Sequence, residues 1–226
     1  MLDQRYLQEL AKKLKIAPMN IVRESVEVEL LQTLTESDLT KNLLFYGGTA
    51  IRLAYSSPRF SEDLDFLMTR RISSADLERV LEKFCAGYIG SSVRDVKDKR
   101  QTLFALVNVT HPALKHPINV KIEMSKKRDG LTTALMPLSS PCSHLTPIVP
   151  VPTIQMMLTL KENAIKGRDE PRDWFDLWFI TKYMKQDFSP PEEFPFAPHE
   201  FKRELKRFLP QDKWTIIDQI LKEVEE

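Results

Sequence analysis

The stretch from Phe45 to Met68 constrains this chain more than any other. A hydrophobic run, Leu43 to Tyr46, ends in Gly47-Gly48, and a helix-compatible segment follows from Thr49 to Tyr55. The chain then enters Asp63-Leu64-Asp65-Phe66-Leu67-Met68. In a strand, alternate side chains share a face. Asp63 and Asp65 therefore point one way, while Leu64, Phe66 and Met68 point into a core. Two carboxylates roughly 6–7 Å apart along a strand repel, and a divalent cation is the simplest partner for such a pair. Magnesium suits it, because it is usually held by one or two carboxylates plus phosphate oxygens. Gly47-Gly48-Thr49 at the start of a helix offers an anion backbone N–H groups, a hydroxyl and a positive dipole end. Gly-Gly alone is usually a turn, and Asp-x-Asp alone is usually a wet face. A phosphate cradle followed by a carboxylate pair is far more specific.

Around this stretch the spacing predicts alternating helices and strands. A helix over residues 3–15 carries Leu7, Leu10 and Leu14 on one face, and Pro18 breaks it. A second runs from Asn20, the expected N-cap, to Thr35. Ser37 to Asn42 is a polar connection, and Leu43–Tyr46 is a strand or the end of a buried helix. Ser74 to Tyr88 is an amphipathic helix, Val93–Lys99 an edge strand and Leu103–Val109 a stronger strand. In Ile118–Met124, Ile118, Val120, Ile122 and Met124 share one face and Asn119, Lys121 and Glu123 the other. If this strand pairs with the Asp63–Asp65 strand, Glu123 becomes a third carboxylate at the same edge. On a wet face it simply pairs with Lys121 or Lys126.

Five prolines between Pro137 and Pro152 read as a linker. It divides residues 1–136, N-terminal helices and a mixed α/β core, from a helical region over 153–226. There, helices are expected over Thr153–Lys166, Arg172–Met184, His199–Leu209 and Trp214–Val224. Leu158, Lys161, Ile165 and Arg168 fall on one face. Arg172, Asp176, Phe179, Ile180 and Tyr183 fall on another, so Asp176 needs a cationic partner, Lys161 or Arg168. Asp173 caps or pairs near the helix start, and Trp174 and Trp178 read as core aromatics. The charge balance of +1 announces no nucleic-acid or membrane partner, so any RNA contact must come from a local patch. Lys126-Lys127-Arg128 is one such patch and Lys202-Arg203 with Lys206-Arg207 another. Cys85 and Cys142 have no ligand-like spacing, which fits a reducing cytoplasm. No run approaches the length of a membrane span.

Gly47-Gly48-Thr49 followed by Asp63-Leu64-Asp65-Phe66 resembles the signature of the DNA polymerase beta-like nucleotidyltransferase superfamily. The wider stretches Tyr46–Leu53 and Arg59–Phe66, with Lys161–Ile165, Arg168 and Arg172–Leu177 downstream, resemble the AbiEii/AbiGii toxin branch. That branch is the enzyme half of bacterial toxin–antitoxin and phage-defence systems. The resemblance implies an α+β fold, a mixed sheet with flanking helices followed by a C-terminal helical bundle. It implies a cytoplasmic Mg²⁺-dependent nucleotidyltransferase that moves NMP from an NTP to an acceptor, with the tRNA 3′ end leading. An antitoxin carrying a DNA-binding domain would neutralise it. By the same resemblance Asp63, Asp65 and Glu123 hold one or two Mg²⁺ ions, and Glu123 is alternatively the base for the acceptor hydroxyl. Gly47, Gly48, Thr49, Arg59, Ser61, Lys161 and Arg168 hold the nucleotide. Lys161 is then a triphosphate ligand rather than a snorkelling surface lysine, and Asp176 orients it or acts as base. The competing readings are nucleotidylation of a protein or small molecule, and an inert interaction module that kept the fold.

Overall fold

The computed structural model describes residues 2–126 and 132–225. Asp3 starts helix α1 (Gln4–Leu14) by accepting from the backbone N–H groups of Arg5 and Tyr6. Lys15 ends it in the left-handed region. Pro18 does not merely break this helix. It is the first residue of α2 (Pro18–Thr35), where its missing N–H costs nothing. Asn20 therefore lies inside α2 rather than at its cap, and its amide donates to the Arg207 carbonyl of the C-terminal region. α2 is buried nearly all round, as befits a central helix.

A five-stranded mixed sheet packs against it. The strands are β1 (Leu43–Tyr46), β2 (Asp63–Met68), β3 (Ser91–Asp98), β4 (Thr102–Val109) and β5 (Ile118–Ser125), in the spatial order β1-β2-β5-β4-β3. Only the β2–β5 pair is parallel. Helix α3 (Gly47–Tyr55) links β1 to β2, and α4 (Ser74–Gly87) links β2 to β3. Alternation decides the faces: Leu64, Phe66, Ile118, Val120, Ile122 and Met124 all lie in the core. The opposite face carries the charged members of β2 and β5.

The proline-rich segment departs from expectation. It is not a free linker: β6 (Thr133–Pro137) and β7 (Ile148–Pro152) form a hairpin whose second strand packs against β1. The prolines are accommodated because each strand is an edge of this small sheet. Four helices follow, α5 (Ile154–Gly167), α6 (Pro171–Tyr183), α7 (Pro198–Leu205) and α8 (Thr215–Glu225). They enclose a second core around Trp174, Phe175, Phe201, Leu205 and Ile220. Phe194 and Phe196 meet Trp174 edge-on from the proline-rich 189–198 segment. This bundle is tied to the front of the molecule. The Phe60 N–H donates to the Phe208 carbonyl at 2.8 Å, and the Gln211 N–H to that of Lys15 at 3.0 Å. Glu62 accepts from both Arg23 of α2 and Arg172 of α6. The segment that leads into Asp63 is thereby clamped between sheet domain and bundle.

Candidate active site

The β2–β5 register sets Asp65 beside Glu123 and Asp63 beside Lys121 on one side of the sheet. The three carboxylates that the sequence marks therefore do share an edge. β1 ends beside them, with Tyr46 paired to Asp65. The chain then turns into α3 at Gly47, whose φ of 82° only glycine adopts without strain. A Cβ there would sit 2.5 Å from the Asp65 Oδ2. A Cβ on Gly48 would sit 2.3 Å from the Arg59 Nη2 and 2.8 Å from the Ser61 Oγ. Both glycines thus keep backbone close to charged groups in a cleft. Gly48→Ala should lower the melting temperature, because the new Cβ would push the buried Arg59 guanidinium off Asp176. A thermal melt beside the unaltered protein checks this.

The opposite wall comes from α5 and α6. The Lys161 ammonium donates to the Asp173 Oδ1 at 2.6 Å and lies 2.7 Å from the Asp176 Oδ2. Arg59 reaches Asp176 with both Nε and Nη2 at 2.8 Å, a bidentate pair. The Arg168 Nε donates to the Asp173 Oδ2 at 2.7 Å. Burial alone would raise the Asp176 carboxyl, but Arg59 and Lys161 overcome it and hold it below the usual range. Burial likewise works against the Lys161 ammonium, and Asp176 and Asp173 more than restore it. Asp173 ends at about 2 by the same balance of burial against Lys161 and Arg168. Asp176 therefore holds Arg59 and Lys161 in place. It is fully buried, locked to two cations, and does not line the cleft. Lys161 lines the cleft, and an ammonium has three donors, so one N–H remains for a ligand.

Asp65 behaves differently. Its carboxyl is pushed up to about 6, by burial first and then by repulsion from Asp63, with Lys161 across the cleft pulling the other way. The Lys121 ammonium sits 3.1 Å from the Asp63 Oδ2 and 3.6 Å from the Glu123 Oε2. It supplies one positive charge to three carboxylates. Among the described residues no three acidic, histidine or cysteine side chains form a preformed metal cage. Magnesium does not need one when phosphate oxygens complete its shell. The donor set fits it: hard oxygen ligands, two on one strand, one of them short of positive charge.

Most of the nucleotide-binding residues inferred from sequence line this one cleft: Gly47, Gly48, Arg59, Ser61, Lys161 and Arg168. Thr49 does not. It is buried, and its hydroxyl donates to the Asp63 carbonyl at 2.6 Å, so it braces β2. Arg59 is a partner of Asp176 that helical spacing does not indicate, since spacing offers only Lys161 or Arg168. The sequence separation of 117 between Arg59 and Asp176 explains why. Asp173, expected to cap or pair near the helix start, pairs there as a shared acceptor for Lys161 and Arg168. Lys126 pairs with Asp98 rather than Glu123, while Lys127 and Arg128 lie outside the described residues.

The model of the nucleotidyl transferase AbiEii toxin family, type IV toxin–antitoxin system, matches residues 29–221. The chain belongs to the AbiEii family. Solved structures that share its fold include two that match over nearly the whole chain. The nucleotidyltransferase toxin MenT4 of Mycobacterium tuberculosis is 17% identical, with a TM-score of 0.63 over 100% of this chain and 90% of that one. JHP933 of Helicobacter pylori is 20% identical, with a TM-score of 0.59 over 93% of this chain and 95% of that one. No curated protein sequence matches. The mixed sheet and C-terminal bundle are thus the polymerase beta-like arrangement, and the AbiEii assignment makes the chain a nucleotidyltransferase. No helix among the described residues is long and apolar enough to cross a membrane.

Proposed function

We propose that this AbiEii member transfers NMP from an NTP to an acceptor hydroxyl in the cleft between sheet and bundle. The acceptor is RNA, with a tRNA 3′ end leading. The observation that carries the reading is the pairing of opposite walls. A charge-deficient carboxylate edge faces a preorganised cationic wall, with two glycines between them. Asp63 and Asp65, with Glu123 beside them, would hold Mg²⁺. Bound there, it would neutralise phosphate charge and orient the attacking hydroxyl. Gly47 and Gly48 present backbone to the triphosphate, and Lys161 and Arg59 donate to it from the far wall. Donors already fixed by Asp176 and Asp173 need no rearrangement as charge develops, which is where such groups contribute most. The acceptor oxygen bonds to the α-phosphorus, the bond to the β-phosphate bridge breaks, and pyrophosphate leaves. The hydroxyl proton goes to Glu123 where that carboxylate is free of metal, and to solvent water where it is a ligand. By the same family resemblance, an antitoxin with a DNA-binding domain is the proposed partner.

The test is incubation with each NTP labelled at the α-phosphate, Mg²⁺ and total RNA, beside Asp63→Ala and Lys161→Ala. Label should enter RNA and vanish in both variants. Label confined to protein or a small molecule would replace the acceptor. No transfer and no NTP binding would leave the inert reading.

A further inference from the structure

The side of the sheet that bears the carboxylates does not stop at Glu123. Register carries one row of side chains from Tyr46 through Asp65, Glu123 and Phe104 to Lys97. The next row runs from Asp63 through Lys121 and Leu106 to Asp95. Phe104 and Leu106 thus face outward, beside the active site. Both are only half-buried, and among the described residues neither packs in either core. Phe104 lies one strand spacing from Glu123, roughly 5 Å, and two from Asp65, roughly 10 Å. The exposed Lys99 holds its ammonium 4.5 Å from the centre of the Phe104 ring, so one face of that ring meets a solvated cation rather than protein.

A half-buried aromatic ring capped by an exposed cation, next to an edge that in the proposed reaction receives an acceptor hydroxyl, is what an unpaired base stacks on once that cation moves aside. An extended peptide fits less well. β4 is hydrogen-bonded on both sides, by β3 and β5, and offers no free edge for a peptide strand. A duplex fits less well too, because its bases are already stacked. We infer that Phe104 and Lys99 form the acceptor platform. The base next to the 3′ end of a single-stranded nucleic acid stacks on Phe104, Lys99 shifts onto its phosphate, and the terminal hydroxyl reaches the Asp65–Glu123 edge. This rests on the nucleotidyl-transfer reading and adds the acceptor's place and strandedness to it.

The experiment is fluorescence anisotropy with a short mixed-sequence oligoribonucleotide, labelled at its 5′ end and free at its 3′ end. Parallel arms use the DNA strand of the same sequence and the blunt RNA duplex. Phe104→Leu keeps an apolar side chain on the sheet but removes the stacking face, and should weaken single-strand binding about tenfold. Phe104→Trp keeps the stacking face and should bind like the unaltered protein. NTP binding, followed by thermal shift with Mg²⁺, should be the same in all three, which also shows that the variants are folded. A single strand held equally well by Phe104→Leu, or a duplex bound as tightly as the strand, overturns the platform. The RNA and DNA arms identify which strand it takes. Oligonucleotide binding is read directly, so a failure of label transfer sinks the proposed reaction without deciding the platform.

Discussion

Asp65→Asn should abolish transfer and at the same time make the metal-free protein more stable. Removing this carboxylate takes away a proposed metal ligand at the point where phosphate charge develops, so activity should fall by at least about 10²–10³-fold. The stability gain follows from the raised carboxyl. With a folded value of about 6, against an ordinary value of 3.8, Asp65 keeps its proton in the folded state while the unfolded chain releases it. Between about pH 4 and 6 the folded state therefore binds more protons, and stability falls as pH rises. Above that window the penalty is complete. A shift of that size corresponds to about 3 kcal/mol at most. Partial solvent access to the side chain reduces it to about 1–2 kcal/mol, or roughly 3–6 °C in melting temperature. Thermal melts at pH 7 and pH 4.5 check the sign: the gain should be present at the first and shrink at the second. Added Mg²⁺ should stabilise the unaltered protein, because it binds only the folded state, and should do little for the variant.

Arg59→Met should have the opposite profile, with activity and stability lost together. Arg59 and Asp176 are both almost fully buried. Cutting one partner from such a pair leaves a buried charge partly uncompensated, at a cost of about 3–5 kcal/mol. The low end applies here, because Lys161 still reaches Asp176. Replacing both members, Arg59→Met with Asp176→Leu, should restore most of that stability in chemical denaturation while transfer stays absent. That combination separates the network's structural cost from its chemical role. If Arg59→Met alone unfolds at the same denaturant concentration as the unaltered protein, the pair is not the support described above.

The carboxylate edge was legible in the sequence because strand alternation is local. Asp63, Asp65 and Glu123 could be put on one face by counting, and only the β2–β5 pairing had to be supposed. The glycines were legible for the same reason. The cationic wall was half legible: helical spacing put Lys161 and Arg168 on one stripe and Asp176 among apolar residues. What spacing could not supply was the arginine from the 57–62 loop that arrives to meet Asp176, since no periodicity links a loop residue to a helix so far along the chain. Thr49 was ambiguous, because a hydroxyl beside two glycines suits a phosphate equally well, whereas in the fold it faces the Asp63 carbonyl. The proline-rich hairpin misled because prolines are tolerated on strands with an unpaired side, and the sequence does not announce which strands those are. Phe104 read simply as part of a strand. Its exposure follows from its place opposite Glu123, which is a matter of register.

In the proposed reaction this cleft moves a nucleotidyl group and not a phosphoryl group. The direct test is one reaction run twice, with the same NTP and RNA, labelled in one case at the α-phosphate and in the other at the γ-phosphate. Acceptor labelling is expected from the α position only, with release of the γ label as pyrophosphate and loss of both in Asp63→Asn. Acceptor labelling from the γ position, or transfer that survives in Asp63→Asn, would contradict it.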